Sequence, residues 1–317
     1  MQKGNDTMLK EPMDVLDAFP VRKSRKQKAA FRAEAAALAQ SWGYQVRQEP
    51  GALGCCNLVL GDPEQAKYLV TAHYDTCAGL PFPNLITPCN VLPFLGYQLL
   101  LVLLIFTASF LLGLAAALLS GSGFVGNLVQ LAALWGCILW MLIGPANRHN
   151  ANDNTSGVVT VLEIARTLPQ KQRSKVCFVL FDLEEAGLIG SASYRKAHAQ
   201  AVQRQLVLNL DCVGEGNHIR LFPTRKLKKD AQRLASLRRV CGSFGKKDIQ
   251  IRDKGFAVYP SDQANFPYGV GICALKNSRA GLYLGRIHTS RDTILEKTNV
   301  NLLRAALTTF LCRDAAQ

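Results

Sequence analysis

Residues 76–147 contain no Asp, Glu, Lys or Arg, so all 37 basic and 23 acidic side chains lie outside that stretch. Within it, 91–119 is one long apolar run and 124–144 a second, parted by Ser-Gly-Ser-Gly at 120–123. Each run reaches the roughly 20 apolar residues that a membrane-crossing helix needs. Wound as a helix, the first would extend roughly 40 Å, more than a domain of this size covers on every side. A membrane hairpin with spans at about 91–119 and 124–144 is therefore expected in place of two buried core helices. An in-plane or re-entrant hairpin is the remaining arrangement.

The charged remainder is basic, with a formal net charge of +14 and a pI of about 9.5. Such a balance fits nucleic acid, anionic lipid or acidic substrates. No nucleic-acid motif appears and the basic residues do not interleave with aromatics, so no nucleic-acid partner is expected. A basic face toward the bilayer suits the apolar block, beside the plainer reading of a solvated basic surface. The ten cysteines form no CxxC pair, and the first twenty residues are polar without an apolar signal core. Reduced thiols and a cytosolic location for the charged part follow as the expectation.

Outside the block the pattern is β/α. Segments 22–40, 156–168, 187–201, 227–240 and 298–312 read as helices. Segments 44–47, 57–60, 68–72, 176–181, 205–210 and 270–275 read as strands, several apolar on both faces. With 317 residues, the expected fold is α/β: a three-layer α/β/α sandwich around a mostly parallel mixed sheet. Its catalytic domain would comprise 1–80 and 145–317, with 81–144 as the inserted transmembrane hairpin.

Five polar segments stand at or beside strand ends: TAHYDT (71–76), NANDNTSG (150–157), FDLEEAG (181–187), NLDCVGEG (209–216) and IHTSRDT (287–293). Ligands of open α/β sheets gather at the carboxyl ends of strands. His73, Asp153, Glu185, Asp211 and His288 offer two imidazoles and three carboxylates, the hard mixed donors that suit a zinc pair sharing a carboxylate. Alone, each element has a duller reading. HxD is usually a surface or capping pair, EE compensates a helix dipole, and DNTSG makes a turn and an N-cap. Asp211 is harder to dismiss, because a carboxylate closing an apolar strand is costly to bury without a partner.

This ordered set resembles the co-catalytic di-zinc aminopeptidase family, which includes glutamate carboxypeptidase and the transferrin receptor ectodomain, with glutaminyl cyclases as relatives. The resemblance covers roughly 66–76 and 148–293. It implies that His73 and Asp211 hold one zinc ion, Glu185 and His288 the other, and that Asp153 bridges the two. It further implies Glu184 as general base and Asp75 behind His73, orienting its ring. The implied activity is hydrolysis of N-terminal peptide bonds, with peptides as substrates and two Zn2+ ions as cofactors; cobalt or manganese suits the same ligands.

Two features depart from the family pattern. Gln263, in PSDQANF, stands where a His is common, and Tyr259 is only an approximate match to a Tyr that stabilises the tetrahedral intermediate. The larger departure is the apolar insert between His73 and Asp153. For both to reach one metal pair the chain must leave and return on one side, which two spans allow and one or three do not. The hairpin tip has no charge and 22–32 is strongly basic, so a catalytic domain facing the cytoplasm is expected. Other readings are a glutaminyl-cyclase-like acyltransferase, a different di-zinc hydrolase, and a non-enzymatic membrane scaffold. The second usually needs a domain between the last two ligands, and 288 − 211 leaves only 77 positions.

Overall fold

The computed structural model describes residues 8–82 and 84–314; positions 1–7 and 315–317 of the expected catalytic segments, and position 83 of the insert, lie outside the described residues. The strands are β1 (Val46–Pro50), β2 (Cys56–Leu60), β3 (Tyr68–His73), β4 (Val176–Phe181), β5 (Leu206–Leu210), β6 (His218–Pro223), β7 (Gly242–Phe244), β8 (Lys247–Ile251), β9 (Gly269–Ser278) and β10 (Gly281–Tyr283). The helices are α1 (Val15–Ala18), α2 (Arg25–Ser41), α3 (Val91–Ser120), α4 (Gly123–Ile143), α5 (Gly157–Thr167), α6 (Ile189–Ala197), α7 (Ala231–Arg238) and α8 (Lys297–Asp314).

Every residue of β3, β4 and β5 is buried, and successive side chains go to opposite faces. Tyr68, Val70, Ala72, Phe178 and Leu180 pack with α2, α5 and α8, while Leu69, Cys177, Val179 and Phe181 pack with Tyr194 of α6. That two-sided burial makes the three layers. The strand order is β1-β2-β4-β3-β5-β9-β6-β8-β7, with β10 on β9. The central strands β4, β3, β5 and β9 run parallel, so their carboxyl ends share one edge. The sheet turns antiparallel at the flanks, where β2 meets β4 and β6 meets β9.

Several boundaries differ from the sequence expectations. The helix expected from 22 starts at Arg25, because Ser24 accepts from Gln27 N–H in a capping box. Arg22 is left outside the helix and fully buried, donating to the carbonyls of Phe19 and Tyr74 and to Thr155 Oγ1. Lys28 is also buried, 2.7 Å from Asp182, so this basic segment is only partly a surface. The helix expected over 187–201 is confined to α6, and 227–240 breaks at Asp230, which caps α7. Strands β6, β7 and β8 have too few consecutive apolar residues to announce themselves.

α3 and α4 stand apart from these layers. Only 11% and 6% of their most apolar windows is buried, whereas a soluble core helix of that composition would be mostly covered. They pack on each other through small residues. A Cβ on Gly113 would come within 2.7 Å of the Gly126 carbonyl, and one on Gly126 within 2.6 Å of Ala117 Cβ. Gly121, at φ 68°, turns the chain between them. Both helices are long and apolar enough to cross a membrane. At their root the two chains pair again: Ala78 bridges Ala146, Gly79 N–H donates to Pro145 O at 2.9 Å, and Asn147 N–H to Cys77 O at 3.0 Å.

Candidate active site

The parallel edge delivers three of the singled-out segments to one place, and two loops bring the others. His73 ends β3 opposite Phe181, the last residue of β4. Glu184 and Glu185 lie in the turn that follows β4, and Asp211 directly follows β5. Asp153 comes from the irregular segment Ala151–Ser156 that leads into α5, and His288 from the loop between β10 and α8. Gly157 lets α5 start tight against the β5 end, since a Cβ there would sit 2.4 Å from the Leu210 carbonyl. Leu183 (φ 54°), Cys212 (φ 54°) and His288 (φ 60°) hold left-handed backbone beside or within the site. For such residues this costs on the order of 1–3 kcal/mol each.

The side chains converge. Asp153 lies between the two imidazoles, with Oδ1 3.3 Å from His73 Nε2 and Oδ2 2.9 Å from His288 Nε2. Asp211 Oδ1 is 3.6 Å from His73 Nε2, and Glu185 Oε2 is 3.4 Å from His288 Nε2. Glu184 groups with His73 and Asp211, within 4.8 Å of one another by one ligand atom each. Cys77 groups in the same way with Glu185 and His288. Asp75 Oδ1 is 3.5 Å from His73 Nδ1, an ion-pair distance without hydrogen-bond geometry. Its clearer work is on the backbone, accepting the N–H groups of Glu184 at 3.0 Å and Glu185 at 3.2 Å. Asp75 thereby ties the acidic turn to the strand that carries His73.

Residues that sequence reasoning passed over frame this cluster. Asp292 accepts from Asn152 N–H (2.7 Å) and Asp153 N–H (3.0 Å). Asn154 Oδ1 accepts from Cys212 N–H, and Asn152 Oδ1 from Gly214 N–H. These three lay inside segments already singled out, but nothing in their spacing separated them from turn residues. Tyr259 donates its hydroxyl to the backbone carbonyl of Asp211 at 2.9 Å, so that hydroxyl braces a strand end. Gln263 donates to Tyr259 O and accepts from Asn209 Nδ2, joining the same brace.

The electrostatics are those of an acidic pit. Asp75, Asp153, Asp211, Asp262 and Asp292 are all buried. Burial pushes Glu185 up to about 8, Asp262 to about 7 and Asp292 to about 7. Burial, then the neighbouring Glu185, also raises Glu184. Burial opposes the charge on His288, but Glu185 and Asp153 outweigh it and lift the imidazolium to about 9. Burial likewise works against Asp153, yet its hydrogen bonds from His288 and His73 hold it below the usual carboxylate range. Among the described residues of this pit, Glu185 Oε1, Asp211 Oδ1 and both oxygens of Asp262 are buried without a hydrogen-bond donor. Converging carboxylates, too few cations and unserved anionic oxygens fit divalent metal.

Comparisons with known proteins agree with this architecture. No curated protein sequence matches the chain. Among solved structures, the glutaminyl cyclase of Porphyromonas gingivalis superposes with a TM-score of 0.59 at 16% identity, covering 98% of each chain. The LapA aminopeptidase of Legionella pneumophila superposes at 0.55 with 15% identity, over 95% of this chain and 68% of that one. A glutaminyl cyclase from Macrostomum lignano gives 0.56 at 11% identity, over 95% and 88%. At such identities the likeness is one of fold. The family model described as peptidase family M28 matches residues 140–311, more than half of the sequence and four of the five segments above. This chain belongs to peptidase family M28.

Proposed function

We propose that the protein is a membrane-anchored zinc aminopeptidase that hydrolyses N-terminal peptide bonds at the cytoplasmic face of a bilayer. The observation that carries this reading is Asp153 reaching one imidazole with each oxygen, with Asp211 flanking His73 and Glu185 flanking His288. In this reading His73, Asp211 and Asp153 would hold one zinc ion, and Glu185, His288 and Asp153 the other. Bound zinc would bring the pKa of a water near neutrality and polarise the scissile carbonyl. Glu184, beside His73 and Asp211, takes a proton from the attacking water and returns it to the departing amine. Asp75 keeps Glu184 and Glu185 in place through their N–H groups. Tyr259 contributes by fixing Asp211, its hydroxyl being engaged there.

Metal analysis paired with a panel of amino-acyl amides and peptides tests this. About two metal ions per chain are expected in both wild type and Glu184→Gln, with hydrolysis in the variant lowered by about 100-fold or more. Undiminished turnover in Glu184→Gln removes the mechanism. One metal per chain, with cyclisation of an N-terminal glutamine and no peptide hydrolysis, replaces it with a glutaminyl-cyclase-like acyltransferase.

A further inference from the structure

The apolar insert leaves the domain at the same sheet edge that holds the site, between His73 and Asp153. Its root is bonded to the catalytic loop: Leu80 N–H donates to His288 O at 2.8 Å, and Asn147 Nδ2 to Thr289 O at 3.0 Å. Immediately beyond Leu80 lies a cavity of about 490 Å³, walled by Pro81 and Phe82, by Ile105 of α3, and by Gly136, Cys137 and Trp140 of α4. That volume lies within the range of small-ligand sites. Among the described residues none that lines it is charged. The indole N–H of Trp140 is already given to Gly79 O at 3.2 Å, so the walls offer an occupant almost entirely apolar contact. Gly136 is exposed on this side of α4, and an added Cβ there would meet nothing within 4 Å. Around the root stand cations suited to an anionic headgroup layer: Lys23 Nζ reaches the Leu142 carbonyl at the end of α4, and Arg148 is exposed just beyond.

We propose that this cavity is an acyl-chain site, and that the substrates are peptides tethered to the bilayer by a fatty acyl group. The proposal rests on the membrane-peptidase reading above and names its substrate class. An acyl chain seated between α3 and α4 ends at Pro81, one residue from the backbone that is bonded to His288. The peptide it carries is thereby held beside the catalytic loop. The position of Pro81, next to the Leu80 N–H that is bonded to His288 O, favours a substrate's chain over a resident lipid, which gains nothing from nearness to the site.

The test uses the full chain in phospholipid vesicles. Hydrolysis of one peptide is compared with that of the same peptide bearing a palmitoyl group near its C-terminus. A KM at least tenfold lower is expected for the acylated form. Gly136→Leu, which fills the cavity, should bring the ratio of the two KM values close to one. Because that variant leaves partition into the bilayer intact, an acyl advantage surviving in it overturns the proposal.

A second readout is independent of turnover: a palmitoyl peptide with a diazirine at the chain end, illuminated and mapped by mass spectrometry. Adducts on Pro81, Phe82 and 133–141 that Gly136→Leu abolishes support the site. Adducts scattered along the outer face of α3, or labelling by a diazirine phospholipid that the acyl peptide does not displace, overturn it. If adducts form in the cavity while neither peptide is cleaved, the site stands and the peptidase reading fails. If both peptides are cleaved equally, the peptidase stands and the substrate class falls.

Discussion

Asp75 has two oxygens and a separate backbone N–H for each. Asn in its place keeps one acceptor and turns an amide NH2, itself a donor, toward the other N–H, so the acidic turn loses half of its anchor. Partners that position metal ligands are typically worth 10–100-fold in metal affinity. Asp75→Asn is expected to weaken zinc binding by about that factor, read by competition with a chromophoric chelator. Unchanged affinity would show that Asp75 does not position the ligands. His73, by contrast, was singled out from a motif, yet what surrounds it in space is a set of carboxylates 80 to 138 positions away.

Among the elements, α3 and α4 depend on glycine at their crossing. Gly113 and Gly126 face each other so closely that a side chain on either meets the other helix below 3 Å. Gly126→Leu must push the helices apart, and overpacking of this kind costs about 1–3 kcal/mol. A lowered melting temperature in detergent is expected for Gly126→Leu and not for Gly136→Leu, which enters open space. Equal behaviour of the two variants would contradict the crossing. α5 makes the complementary case: Gly157 is required by the β5 carbonyl rather than by any helix partner.

For the molecule as a whole, the acidic pit sets how stability responds to pH and metal. Folded Glu185, Asp262 and Asp292 keep protons to about 8, 7 and 7, against about 4 for exposed carboxylates. Folded His288 keeps its proton to about 9, against about 6.5 unfolded. Between these limits the folded chain binds more protons than the unfolded one, so the metal-free protein loses stability as pH rises from about 4 to 9. In the proposed zinc reading, bound metal would supply the missing positive charge where the protons leave. The gap in melting temperature between zinc-loaded and chelator-treated protein should therefore widen from pH 5 to pH 9. A gap that stays constant or narrows contradicts this picture of the pit. Topology is a second property at this scale. Lys23, half-buried at the root of α4, should resist a membrane-impermeant amine reagent applied outside sealed cells, and labelling from outside would place the catalytic part on the opposite face.

The sequence by itself determined the two apolar helices, the buried parallel strands and the segments that carry the donors, because composition and periodicity are local properties of the chain. It did not reveal Asp292, Asn152, Asn154 or the Tyr259–Gln263 brace, since short polar residues in loops look alike until their partners are known. Nor did it separate Arg22, buried under the site, from its exposed basic neighbours. Only the tertiary structure decided those, because a charge or an amide takes its meaning from groups brought alongside it by parallel strands that end on one edge.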